Sequence, residues 1–162
     1  MPGKAISNLI HLYFTEFPYI GDMRKIAMMI SVLLFAATSF TFGQATGPVE
    51  GTPVSVKGGS YLDITPATLN ALLSKKDFFL VNVHIPYQGE IALTDAFIPF
   101  DQTEASLNRY PADKSAKIVL YCRSGRMSDI AARELVRHGY THVSNLAGGM
   151  IEWENAGLPL KR

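Results

Sequence analysis

Residues Ile118 to Ala132 read IVLYCRSGRMSDIAA, and this stretch decides the fold. Ile118-Val119-Leu120-Tyr121 is a continuous apolar run, the pattern of a strand buried on both faces. Ser128 to His138 repeats apolar residues at helical spacing through Ile130, Ala131, Leu135 and Val136, and Gly139 stands where such a helix ends. Between strand and helix lies the segment Cys122-Arg123-Ser124-Gly125-Arg126-Met127. A small, glycine-containing loop that opens a helix points several backbone N–H groups at one spot and adds the positive end of the helix dipole. Cys122, the only cysteine of the chain, stands where a thiolate or persulfide would be stabilised.

The same alternation extends outward. Thr65-Pro66 supplies an N-cap and first helical residue, Leu69, Leu72 and Leu73 share one helix face, and Asp77 is expected to close that helix. Phe78 to Val83 reads as a second buried strand whose end faces a site, and Ala96 to Phe100 as a shorter one. Asp101 with Glu104 resembles a capping box for a helix carrying Leu107 and Tyr110, ended by Pro111. Thr141 to Leu146 makes a further strand, Gly148-Gly149 a turn, and Met150 to Asn155 a short helix. Strands alternating with helices predict an α/β fold, a small parallel sheet with helices on both faces and ligands at the carboxyl ends of its strands.

A length of 162 residues, 48% of them apolar and 18% charged, predicts one globular domain with a formal net charge of +1. That balance implies no nucleic-acid or acidic-lipid partner. Met23-Arg24-Lys25 is basic, Ile26 to Phe40 is almost wholly apolar, and small residues follow at Thr41, Gly43 and Ala45, the order of a secretory signal peptide. The chain is therefore divided into an upstream extension over 1–22 from a start at Met23, a signal over 23–43, a flexible lead-in over 44–60 and a folded domain over 61–162. The mature protein is expected to begin at Gln44 or Thr46, periplasmic or secreted; the alternative is an uncleaved segment that holds it at the membrane. A lone thiol in an oxidising compartment is a liability unless it is used, which favours a functional Cys122. There is no CxxC and no His/Cys cluster, so a thioredoxin-type or zinc reading lacks its residues.

These motifs resemble the rhodanese-like, or sulfurtransferase homology, family. The resemblance runs from about residue 61 to 160 and rests on IVLYCRSGRMSDIAA as the active-site loop and its helix. It rests also on the tail from Gly139-Tyr140-Thr141-His142-Val143 through Leu146-Ala147-Gly148-Gly149-Met150 to Trp153 and Ala156-Gly157-Leu158-Pro159. The front half departs from the family. Asn82-Val83-His84 replaces the usual Asp-Val-Arg, and Gly89-Glu90-Ile91 through Ala96 replaces a segment that usually carries histidine. Cys122 is then expected to attack the outer sulfur of a donor such as thiosulfate and to yield that sulfur to a thiol, cyanide or protein acceptor by covalent, ping-pong catalysis. No metal and no cofactor are implied.

The resemblance implies a sulfur site built from the backbone of Arg123, Ser124, Gly125, Arg126 and Met127 and the hydroxyls of Ser124 and Ser128, with either arginine holding an anionic donor. His84 is read as packing or lining the pocket and Glu90 as lying at its mouth, which makes the entrance less positive than in a typical member. Tyr121 and Trp153 are read as core and pocket wall. Two alternatives accompany the sulfurtransferase reading. One is a non-enzymatic module that carries sulfur to a partner or senses oxidation. The other is a Cys-x5-Arg phosphatase, which the serine at position 128 disfavours.

Overall fold

The computed structural model describes residues 49–162. The upstream extension, the signal and the start of the lead-in lie outside the described residues. Among the described residues no helix is long and apolar enough to cross a membrane.

Among the described residues eight strands and three helices follow in the order β1 (Thr52–Val56), β2 (Gly59–Ile64), α1 (Pro66–Leu73), β3 (Phe79–Asn82), β4 (Glu90–Ile91), β5 (Ala96–Phe97), β6 (Ile118–Tyr121), α2 (Arg126–Arg137), β7 (Val143–Leu146), α3 (Gly149–Asn155) and β8 (Leu160–Lys161). The main sheet runs β1-β2-β7-β6-β3-β5. Only the β1–β2 pair in it is antiparallel. β4 and β8 form a separate antiparallel ribbon.

Strand β6 shows why a continuous apolar run belongs at the centre of such a sheet. Its side chains alternate between faces. Ile118, Leu120 and, just beyond the strand, Cys122 join the core under α2, whereas Val119 and Tyr121 join the core under α1 and α3. Both faces are covered, so neither set is left in water. α2 completes the first core with Ala131, Ala132, Leu135 and Val136; Leu69 of α1 with Met150 and Trp153 of α3 complete the second. A fully buried leucine such as Leu120 contributes about 2 kcal/mol by leaving water.

Three expectations are corrected. The flexible lead-in over 44–60 gives way, from Thr52 onward, to a hairpin in which β1 pairs along β2 and Val54 and Val56 pack on the α2 core. Interspersed Pro, Ser and Gly hid that alternation, and Pro53 is tolerated because β1 is an edge strand. α1 ends at Leu73, with the Ser74 N–H turning back to Ala71 and Leu72, well before Asp77. The helix expected after Asp101 is replaced by two single 3-10 turns, Phe100–Gln102 and Leu107–Arg109, with no side-chain cap. There the Thr103 hydroxyl donates to the Phe100 carbonyl, and Phe100 and Leu107 are drawn against the sheet core. β3, β5, β6, α2, β7 and α3 stand close to where the pattern puts them, the β4–β8 ribbon was not expected, and Gly139 closes α2 with φ of 87°.

Candidate active site

Cys122 leaves the carboxyl end of β6, and the loop that follows turns the Gly125 amide onto the sulfur. Gly125 N–H donates to Cys122 Sγ at 3.1 Å, and the Ser128 hydroxyl lies 3.4 Å from the same atom. That hydroxyl is also 3.1 Å from the Gly125 carbonyl oxygen. It has one proton for two acceptors, and a negative sulfur draws it. Gly125 is the N-cap of α2 with φ of 88°, a left-handed conformation that suits glycine, and no side chain caps the helix. The start of a twelve-residue helix therefore adds its positive end to the site.

The loop is braced from behind. Met150 N–H donates to the Cys122 carbonyl at 2.8 Å and Ile151 N–H to the Arg123 carbonyl at 3.0 Å. Gly149 enters α3 with φ of 59°, and a Cβ there would fall 2.3 Å from the Cys122 carbonyl oxygen. The Gly148-Gly149 pair, read from sequence as a turn, is thus a close-packed seat for the cysteine loop. On the α2 side, Asp129 accepts hydrogen bonds from Tyr61 and Arg133. Burial pulls the Asp129 carboxyl up, but these two donors outweigh it and hold it below the usual carboxylate range.

His84 is brought to the loop. It is 6% exposed, its Nδ1 lies 3.3 Å from Met127 Sδ, and its Nε2 is buried without a hydrogen-bond partner. Asn82 holds the turn that places it, accepting from the His84 N–H and donating to the Gly89 carbonyl. Glu90 lies on the small ribbon. It sits in β4 opposite Lys161, beside Tyr87, whose hydroxyl is pushed up by desolvation and by this carboxylate. Tyr121 is core: burial pushes its hydroxyl up to about 12, and that oxygen accepts from Ile91 N–H and meets the Thr94 hydroxyl. Trp153 is core too, its indole N–H donating to the Pro159 carbonyl.

The two arginines part company. Arg123 is exposed and donates from Nη1 to Gln88 Oε1 at 2.7 Å, a link that the sequence did not signal. Arg126 is exposed at the first turn of α2 and has no side-chain partner among the described residues. Ser124 is exposed on the loop. The metal-capable grouping among the described residues, Glu104, Glu134 and His138, is already interlinked through His138 Nε2, 3.0 Å from Glu134 and 3.5 Å from Glu104, at the opposite end of α2 from Cys122.

The pattern of the rhodanese-like domain matches residues 69–156, from α1 through the cysteine loop to α3. The chain belongs to the rhodanese-like family. Its fold is the rhodanese-like α/β fold, and a sulfurtransferase stands among its relatives. It is 37% identical over 93 residues to a sulfurtransferase of Allochromatium vinosum, covering 55% of this chain and 83% of that protein. It is 31% identical over 98 residues to the tRNA uridine(34) hydroxylase of Wigglesworthia glossinidia brevipalpis, covering 57% of this chain and 31% of the hydroxylase. The rhodanese-like domain protein of Staphylococcus aureus superposes with a TM-score of 0.51 at 28% identity, covering 62% of this chain and 98% of that structure.

Proposed function

We propose that this rhodanese-like chain is a sulfurtransferase that carries sulfane sulfur as a Cys122 persulfide, from thiosulfate or a persulfide donor to a thiophilic acceptor. The observation that carries the reading is the cysteine sulfur, which receives the Gly125 N–H at 3.1 Å at the uncapped start of α2. Cys122 Sγ attacks the outer sulfur of thiosulfate, the sulfur–sulfur bond of the donor breaks, and sulfite leaves with its electron pair. The outer sulfur of the resulting persulfide is negative, and the loop amides and the Ser128 hydroxyl are the groups that stabilise it. An acceptor then attacks that outer sulfur and returns Cys122 as a thiolate.

Incubation with thiosulfate followed by intact-mass measurement tests this. A gain of one sulfur in the wild-type protein, absent from Cys122→Ser, is expected; sulfur gained equally by both would place the chemistry elsewhere. A second reading, a module that stores or delivers sulfur without rapid turnover, is favoured by the 1% exposure of Cys122. Multiple turnovers with cyanide would rule it out. We propose the exported setting, with a mature start at Gln44 or Thr46, on residues 23–45 alone; protein recovered only from the cytoplasm would refute the export, and exported material that still carries residues 1–22 would refute the start.

A further inference from the structure

The end of α2 and the segment between the two 3-10 turns bring three metal-ligating side chains to one spot. Glu134 in the last turn and His138 at the C-cap stand four residues apart, so their side chains share one face of the helix. Glu104, between the turns Phe100–Gln102 and Leu107–Arg109, meets them from outside the helix. One ligand atom from each lies within 4.8 Å of the others. The sequence implied no metal because Glu104 is far from Glu134 in the chain, and only the fold brings the two carboxylates to one imidazole.

Geometry and charge both suit a divalent cation. Zinc holds nitrogen and oxygen at about 2.0 to 2.2 Å in a tetrahedron, which sets two of its ligand atoms about 3.3 to 3.6 Å apart. His138 Nε2 lies 3.0 Å from Glu134 Oε1 and 3.5 Å from a Glu104 oxygen, so shifts of about half an ångström would admit the ion. A neutral imidazole has one proton at most to offer at Nε2, yet two carboxylates converge there. The cation already engaged is Arg137, which donates to Glu134 Oε1 at 2.7 Å and leaves one negative charge over. The His138 N–H is tied to the carbonyls of Glu134, Leu135 and Val136, so its backbone is fixed in place. A donor set that mixes imidazole with carboxylate selects zinc or a related transition ion over calcium and magnesium, which take oxygen alone.

We propose that Glu104, Glu134 and His138 form a zinc site that clips the segment between the 3-10 turns to the end of α2. The imidazole takes the tautomer protonated on Nδ1 and offers its Nε2 lone pair, and each glutamate offers one oxygen. Glu104, whose side chain is 69% exposed, keeps the site open to solvent, so water completes the coordination. The site stands at the far end of α2 from the cysteine loop and is independent of the sulfurtransferase reading.

The test titrates zinc ion alone into chelator-treated Cys122→Ser protein, in which no thiol competes for the metal, and reads stoichiometry and affinity by calorimetry. One zinc per chain is expected. Glu104→Gln and His138→Gln should each weaken binding by at least about tenfold, since loss of a ligand costs no less than loss of an outer partner. Glu104→Gln alters an exposed position and so reports on the site even where His138→Gln disturbs the helix end. Arg137→Gln removes the competing cation and should tighten binding about twofold to fivefold, the range of a surface ion pair. His142→Gln, an exposed histidine outside the cluster, should leave it unchanged. Zinc that does not bind one to one, that holds as tightly after Glu104→Gln, that binds no tighter in Arg137→Gln, or that is lost with His142 overturns the site.

Discussion

Gly149 sits so close to Cys122 that a methyl group on its Cα would lie 2.3 Å from the cysteine carbonyl oxygen and 2.7 Å from the Arg123 carbonyl. Real Cβ atoms do not approach backbone so closely, so the cysteine loop and the first turn of α3 are interlocked. Gly149→Ala must displace the loop and also hold alanine at φ of 59°, which by itself costs about 1 to 2 kcal/mol. We expect destabilisation of about 2 kcal/mol or more, a fall in Tm of roughly 8 °C or more, and a larger fractional loss in the rate of Cys122 sulfuration. Melting curves and time-resolved intact mass check this; an unchanged Tm with a normal sulfuration rate would show that α3 does not set the loop.

Arg126 stands at the first turn of α2 with no side-chain partner among the described residues, whereas Arg123 is engaged with Gln88. We expect Arg126, at the start of the helix that follows the cysteine loop, to meet an anionic donor. Arg126→Ala should weaken thiosulfate binding by about 1.5 to 3 kcal/mol, roughly tenfold to somewhat over a hundredfold in KM, the usual scale for a hydrogen bond to a charged group. Steady-state kinetics with thiosulfate and cyanide give the comparison. An unaltered KM would leave the backbone amides as the anion site.

The contact between His84 and Met127, a residue of the cysteine loop's helix start, is expected to bear on donor choice as the wall of the donor's path. An imidazole against a thioether offers no fixed positive charge where an arginine would bring a permanent one. A dianionic donor loses Coulombic attraction in such a cleft, and a donor of low charge loses little. We expect Cys122 to take sulfur faster from a low-charge persulfide than from thiosulfate, and His84→Arg to narrow the gap by about tenfold. Equal rates in the wild-type protein, unmoved by the substitution, would show that this wall lies off the donor's path.

Asp129 couples α2 to β2 through Tyr61 and is held below the usual carboxylate range despite partial burial. A group whose pKa is lowered by folding stabilises the native state above its unfolded pKa, about 3.9, and loses that contribution as the pH falls through its lower native value. The side chain keeps about a third of its surface in water, so screening keeps the contribution to no more than about 1 kcal/mol. Asp129→Asn should therefore melt slightly below the wild-type protein near pH 6, and the gap should close below about pH 3. A gap that persists in acid would assign the difference to shape and not to charge.

Local pattern alone determined much of this protein. The apolar run before Cys122, the glycine loop and the amphipathic helix after it depend on contacts between near neighbours and on which faces must leave water, and periodicity records both. Thus β6, α2, the thiol between them and the rhodanese-like fold were legible from residues 118–139 and the closing Gly148-to-Pro159 segment. The hairpin of β1 and β2 was not, because β1 offers only the half-buried Val54 and Val56 among Pro, Ser and Gly, and what orders it is its pairing along β2, which the pattern of β1 does not record. The tertiary structure alone decided which way the site residues turn. His84 meets Met127 across 43 residues of chain and Arg123 meets Gln88 across 35. Such contacts depend on how β3, β6 and the β4–β8 ribbon are stacked, not on local spacing. For the same reason two arginines that look equivalent in CRSGR end with different surroundings: the backbone reverses at Gly125, with Arg123 before it and Arg126 after it.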